Sequence, residues 1–330
     1  MAKRQRSQSE VSSSRVLRSL ELRPLIFQYQ DGIYYEFLSL HQSMKPFRLA
    51  RRGCLHPMRV EELPDDHIEI IHNLLSTCYA SQKSLIKMLH SMEYMRSFVA
   101  HHVVFTGNVA IAEQLDEAFG IAQFPGPLID IAARRGHFAM VQFLHEHGHP
   151  GCSTDAMDST ALTGDMEILL YLHTHRSEGC STDAMDDAAA CGNLEIVQFL
   201  HNHRYEGCTV EAMDRAATGG HLRVVEFLHF HRTEGCTTNA LDGAAANGRM
   251  DVVRFLSEHR QEGCTRRALK AAARRGDLAM VKYLHGRSVQ GLTYAELQET
   301  CSMTRDASVL DYLAQISVLP CSDDDMMSDY

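Results

Sequence analysis

The chain has no tryptophan and only eight prolines among its 330 residues, and long apolar runs are absent too. No run approaches the roughly 18 apolar residues of a membrane-spanning helix, so we expect no membrane partner. Residues 1–20 lack the apolar core of a secretory signal peptide. These absences favour an intracellular protein, cytoplasmic or nuclear. The net charge of −10 argues against nucleic acid as its partner.

Sequence motifs of common catalytic sites are also missing. The chain contains no glycine-rich phosphate-binding loop, no GxSxG and no HExxH. Cysteine and histidine are plentiful, but they recur at a fixed interval, whereas a catalytic pair occupies one place. We therefore expect no enzyme, no catalytic residue, no cofactor and no bound metal.

What the chain does have is a regular period. Five glycine-cysteine pairs stand 28 residues apart, at 151–152, 179–180, 207–208, 235–236 and 263–264. A second glycine marks each period: Gly107, Gly136, Gly164, Gly192, Gly220, Gly248 and Gly276. Such a period indicates stacked supersecondary units that bury a shared core. The pattern predicts at least seven units.

Each unit is predicted to contain two helices. In one unit Asp183 is a candidate N-cap, and Asp186 falls three residues further on. Alanines follow, and Gly192 ends this short helix, as a glycine after a helix usually does. A second helix is indicated by apolar residues at helical spacing, namely Leu194, Val197 and Leu200.

This pattern resembles the ankyrin repeat, a unit of about 33 residues with a T-P-L-H-x-A signature. The family's longer pattern aligns with residues 183–193, where D-A-M-D stands in place of T-P-L-H and the alanines and Gly192 match. Five residues are missing per unit, which places the deletion at the β-hairpin finger between units. The chain is similar to the short-period variant found in oomycete and giant-virus proteins. The resemblance implies an all-α, ankyrin-like solenoid of antiparallel helix pairs with reduced or absent fingers.

The ends differ from the array. The predicted organisation is a disordered basic segment 1–20, an irregular segment 21–64 with a β-hairpin near Asp31-Gly32, a capping helix pair at 65–96, seven repeats over 97–290, a capping repeat at 291–316 and an acidic disordered tail at 317–330.

Two short matches have alternative interpretations. Arg15, Leu17 and Arg18 fit the RxLR pattern of oomycete effectors, but that motif follows a signal peptide in the family, and a chance match is favoured. Residues 63–75 resemble the start of an F-box, which would make the chain an adaptor for a ubiquitin ligase. The alternative is a capping helix that begins at Asp66 with Glu69 at its third position.

Four columns of repeated residues are interpreted as having structural and not functional roles. Packed helices lie about 8–10 Å apart, whereas a disulfide needs Cα atoms within about 7 Å, so we expect the cysteine column to be free thiols. Histidines at 145, 173, 201, 229 and 285 lie near helix ends and are interpreted as structural. Aspartates at 130, 158, 186, 214 and 242 are interpreted as stabilising helix starts, and Met157, Met185 and Met213 as core.

A protein-binding surface is the remaining function. In ankyrin repeats the two positions before the glycine face a concave groove, and these positions vary here while the flanking alanines do not. The resemblance implies partner contacts by Arg134, Arg135, Thr163, Cys191, Thr218, Asn247, Arg274 and Arg275. The arginine pairs would lie about 50 Å apart, at roughly 10 Å per unit. We therefore expect a monomer that binds an extended or helical, acidic protein segment.

Overall fold

The computed structural model describes residues 29–30, 33–34, 82–287 and 306–317. Two short strands, β1 (Tyr29–Gln30) and β2 (Ile33–Tyr34), pair antiparallel on either side of positions 31–32. The possible F-box, the RxLR match, the region predicted as an acidic tail and most of the region predicted as a C-terminal capping repeat lie outside the described residues.

Sixteen α-helices make up the rest of the described chain, which divides into two compact units at residues 152 and 153. In the first unit the helices are α1 (Gln82–Ser91), α2 (Tyr94–Thr106), α3 (Val109–Phe119), α4 (Leu128–Arg134) and α5 (Phe138–Glu146), with a 3-10 turn at Ile121–Gln123.

The second unit holds the remaining helices. They are α6 (Thr154–Thr163), α7 (Met166–His175), α8 (Thr182–Ala190), α9 (Leu194–His203), α10 (Val210–Gly219), α11 (Leu222–His231), α12 (Thr238–Ala246), α13 (Met250–His259), α14 (Arg266–Arg275), α15 (Leu278–Arg287) and α16 (Ala307–Ser317).

Each of the seven period glycines joins two consecutive helices. All seven have positive φ, between 69° and 84°, a backbone conformation that glycine adopts without steric cost. Within residues 82–287 no strand separates one helix pair from the next. The predicted helical repeat without β-hairpin fingers is thus confirmed.

The core of the second unit follows from the repeated residues. The first helices of successive pairs, α6, α8, α10, α12 and α14, pack against one another in series. Their alanines, for example Ala184 and Ala188, are fully buried and leave room for close helix contact. Second helices contribute larger apolar residues such as Val197 and Leu200. Met157, Met185 and Met213 are buried, which confirms their assignment to the core.

Candidate binding face

The first helices are held in register by hydrogen bonds from one repeat to the next. The Thr209 side chain caps α10 by accepting from the Glu211 amide at 3.1 Å. The carboxylate of Asp186, on the preceding first helix, accepts from the amide of Thr209 at 2.8 Å and from its hydroxyl at 2.6 Å. The same arrangement joins Asp158 to Ser181, Asp214 to Thr237 and Asp242 to Thr265.

This network corrects the predicted helix start. Ser181, not Asp183, is the N-cap of α8, and Asp183 is the second helical residue. Asp186 lies in the second turn, where its buried carboxylate caps the following repeat instead of its own helix. Burial raises the pKa of Asp158 and of Asp186, although the hydrogen bonds from Ser181 and Thr209 act in the opposite direction.

A second set of contacts crosses between repeats at three of the four Glu-Gly-Cys turns, those of Gly179, Gly207 and Gly235. Arg204 donates from Nε to Glu206 at 3.2 Å and from Nη2 to the other carboxylate oxygen, and the guanidinium covers Gly179 and Cys180 of the preceding repeat. Burial raises the pKa of the Cys180 thiol to about 11. All six cysteines in the described part of the chain are free thiols, as the spacing predicted.

With their buried sides fixed in this way, the first helices leave one side open to solvent. We call the solvent-facing surface of α6, α8, α10, α12 and α14 the first-helix face. The second residue of each helix is exposed in every repeat and forms a column across this face: Asp155, Asp183, Glu211, Asn239 and Arg267. The column changes from acidic through neutral to basic, while the buried alanines beside it stay constant.

The residues predicted as partner contacts have different surroundings. Thr163, Cys191, Arg274 and Asn247 are exposed at the ends of first helices, and Thr218 is half-buried. Within the second unit these residues lie on or beside the first-helix face. Arg134 and Arg135 are exposed in the first unit, at the end of α4.

Some of the predicted contact positions also pack against the preceding repeat, contrary to the expectation that they carry no packing. The Arg135 guanidinium lies 4.1 Å from the centre of the Phe105 ring. The Asn247 amide donates to the Thr218 carbonyl at 3.0 Å. Arg275 approaches Gly248, where an added Cβ would lie 3.0 Å from its Nη2. Arg274 has no such contact among the described residues, which leaves it better suited to bind a partner.

A shallow cavity of about 550 Å³ lies between α12 and α14 on this face. Three of its lining residues are small, Gly243, Ala246 and Ala271, and the others are polar or charged: Thr218, Asn239, Asp242, Arg267, Lys270 and Arg274. Thr218 and Arg274 were predicted from the sequence as contact residues, whereas Asn239 and Arg267 were not. A comparison of the second helical positions across repeats would have found both.

The histidine column lies on the second helices and has a packing role. The rings of His173, His201 and His229 meet the next repeat's Phe199, Phe227 and Phe255 edge to face, with centroids 5.2–5.5 Å apart. Burial lowers the pKa of these three histidines. Among the described residues no group of three or more histidine, cysteine or acidic side chains could hold a metal ion.

Comparison with known protein families assigns the repeats. The family model described as "Ankyrin repeats (many copies)" matches residues 185–229 and 241–285. Residues 185–285 therefore carry ankyrin repeats, units that generally mediate protein-protein interaction. No curated protein matches the chain. In the described part of the chain, no helix is both long enough and apolar enough to cross a membrane.

Proposed function

We propose that the chain is a non-catalytic protein-interaction module that binds a polypeptide through the first-helix face. The observation that carries this proposal is the exposed column that runs from Asp155 to Arg267. Its residues differ in charge from repeat to repeat, although the buried residues on the same helices are nearly identical. Burial in the core accounts for the constant positions but not for the variable, exposed ones.

The basic end of the face supports an acidic partner segment. Arg267 and Arg274 are exposed on α14, and neither forms an ion pair within the described residues. Because unpaired surface cations attract carboxylates from solution, these two side chains would set the orientation and the association rate of an acidic segment more than its affinity. The partner would be extended or helical, since the face continues across five helices.

We propose a monomer that acts inside the cell, in the cytoplasm or nucleus, where free thiols such as Cys180 and Cys208 persist. The F-box alternative depends on residues 63–75, outside the described part, so no structural observation favours it over the interaction module.

The test uses a partner recovered by affinity capture on the full-length chain. The double substitution Arg267→Ala/Arg274→Ala removes the free cations of α14. The control, Arg223→Ala/Arg254→Ala, removes two exposed arginines from α11 and α13, on the second-helix side, and changes the net charge equally. We expect the first variant to weaken binding about three- to tenfold at low salt, and less at high salt, because exposed charge pairs each contribute about 0–1 kcal/mol.

The control variant should bind like the parent. If the partner binds the Arg267→Ala/Arg274→Ala variant as tightly as the parent at low salt, or if only the control loses affinity, recognition does not use the first-helix face and the proposal is wrong. Circular dichroism should show unchanged helical content for both variants, because none of the four side chains is buried.

A further inference from the structure

The first-helix face of residues 153–330 carries opposite charge at its two ends. At one end α6 and α8 present the exposed Asp155 and Asp183. At the other end α14, with the sequence RRALKAAARR, has five basic residues and no acidic one. Between them the ion pair of Arg215 with Asp187, at 2.9 Å, balances charge between α10 and α8. The face therefore has an acidic end, a neutral middle and a basic end.

Helix stability explains the acidic end but opposes the basic one. Acidic side chains in the first turn of a helix are favoured by the helix dipole, and Asp155 and Asp183 both lie there. Arg267 occupies the same position in α14, where the helix dipole disfavours a cation. Stabilisation of its own helix therefore does not account for Arg267, whereas a contact outside the helix would.

The cavity beside Arg267 indicates what that contact is. Three of its lining residues, Gly243, Ala246 and Ala271, have almost no side chain, and Arg267 and Arg274 line it without an ion-pair partner in the described chain. A carboxylate side chain that enters this cavity would meet these cations beside small side chains. The Asp242 carboxylate, which also lines the cavity, accepts hydrogen bonds from the amide and hydroxyl of Thr265. The acidic end of the face has the opposite preference, for lysine or arginine.

We propose that the first-helix face binds a polypeptide segment whose charges are segregated, with its acidic part over α12 and α14 and its basic part over α6 and α8. This inference rests on the proposed function and adds the charge order of the partner. The centres of α6 and α14 are four helix steps apart, or about 40 Å. An extended chain covers that distance with about 12 residues at roughly 3.3 Å each.

The test measures binding of synthetic peptides to the full-length chain by fluorescence anisotropy. The block peptide has four glutamates, about twelve glycine and serine residues, and four lysines. The reference peptide has the same composition with alternating glutamates and lysines. We expect the block peptide to bind about tenfold more tightly at low salt, with the difference lost at high salt, because both ends then find complementary charge.

A charge reversal with a matched control locates the effect. Asp155→Lys/Asp183→Lys reverses the acidic end and should weaken the block peptide about tenfold, while improving the binding of a peptide with glutamates at both ends. The control, Glu167→Lys/Glu195→Lys, makes the same charge change at exposed positions of α7 and α9 and should leave the preference intact.

Several outcomes would overturn the inference. The first is equal affinity for the block and alternating peptides, and the second is an equal effect of the two charge reversals. The third is a salt-dependent dimer in sedimentation that Asp155→Lys/Asp183→Lys abolishes. The fourth is peptide binding only after removal of residues 322–330. The third outcome would identify a second copy as the occupant of the face, and the fourth the chain's own acidic segment. If the captured partner still requires Arg267 and Arg274 while the peptides show no preference, the charge order is wrong and the proposed function stands.

Discussion

At the scale of single residues, two separate causes can require glycine in a Glu-Gly-Cys turn: a positive φ and a close side chain from the next repeat. Gly207 has a φ of +78°, and a Cβ at this position would lie 2.6 Å from Nη2 of Arg232 in the next repeat. Gly263 has a similar φ of +70°, but no heavy atom lies within 4 Å of its Cβ position. The two glycines therefore separate the cost of backbone conformation from the cost of the contact between repeats.

Replacing each of these glycines by alanine should give different losses of stability. Gly263→Ala should lower the free energy of unfolding by about 1–2 kcal/mol, the cost of a left-handed residue with a side chain. Gly207→Ala should cost about 1 kcal/mol more, because Arg232 must shift away from its hydrogen bonds with Glu234. Urea unfolding followed by circular dichroism measures both.

Gly235→Ala serves as a repeat of the Gly207 experiment, since its Cβ would lie 2.5 Å from Nη2 of Arg260. Should Gly263→Ala prove as costly as Gly207→Ala and Gly235→Ala, the arginine contact contributes nothing and backbone conformation alone requires the glycine.

At the scale of elements, the aspartate of one first helix fixes the start of the next first helix. Asp214 on α10 accepts from the amide of Thr237, at 2.7 Å, and from its hydroxyl, while that hydroxyl oxygen accepts from the amide of Asn239 in α12. Because Asp214 is buried, its removal would leave polar groups without a partner or access to water. The helices are thus joined by polar contacts as well as by packing.

Asp214→Ala should lower the free energy of unfolding by about 1–3 kcal/mol, because the Thr237 amide loses its acceptor. Asp214→Asn keeps one carbonyl oxygen for that amide and should cost less. Glu211→Gln, an exposed change on the same helix, is the control and should alter stability by less than about 0.5 kcal/mol. Equal unfolding midpoints for Asp214→Ala and Glu211→Gln in urea would show that the contact between helices is not stabilising.

At the scale of the whole molecule, histidine rings repeat along the second helices and couple stability to pH. His201 packs against Phe227 and His231 of the next repeat, and its Nδ1 is buried without a hydrogen-bond partner. Burial lowers its pKa, nearby Arg232 and His231 lower it further, and Glu234 raises it. His173 and His229 have equivalent surroundings in their own repeats.

Stability should therefore fall as the pH decreases from about 7.5 through 6.5. A histidine whose pKa is lower in the folded chain binds fewer protons there than in the unfolded chain, so protonation favours unfolding. His201→Phe keeps an aromatic ring at this position but cannot titrate. The urea midpoint of this variant should fall less than that of the parent between pH 7.5 and 5.5. An identical pH dependence in both proteins would exclude His201 as a contributor.

Much of this architecture was accessible from the sequence. The 28-residue period, the alanines before each glycine and the apolar stripe of the following helix together indicated a series of helix pairs without β-hairpin fingers. They did so because each repeat must bury the same face against its neighbours, so the pattern recurs in every copy. The period also excluded a disulfide ladder, since neighbouring repeats place their cysteines too far apart.

The roles of individual polar residues were decided by the tertiary structure. Asp183 and Asp186 both looked like residues that start their own helix, whereas Ser181 is the cap and Asp186 caps the following repeat. Arg135 and Arg275 looked free, yet both contact the preceding repeat. The 28-residue period shows which positions are equivalent in successive repeats. Whether two side chains from neighbouring repeats are in contact depends on how far one helix is displaced along the next. That displacement is set by packing, so only the folded chain shows which polar groups meet.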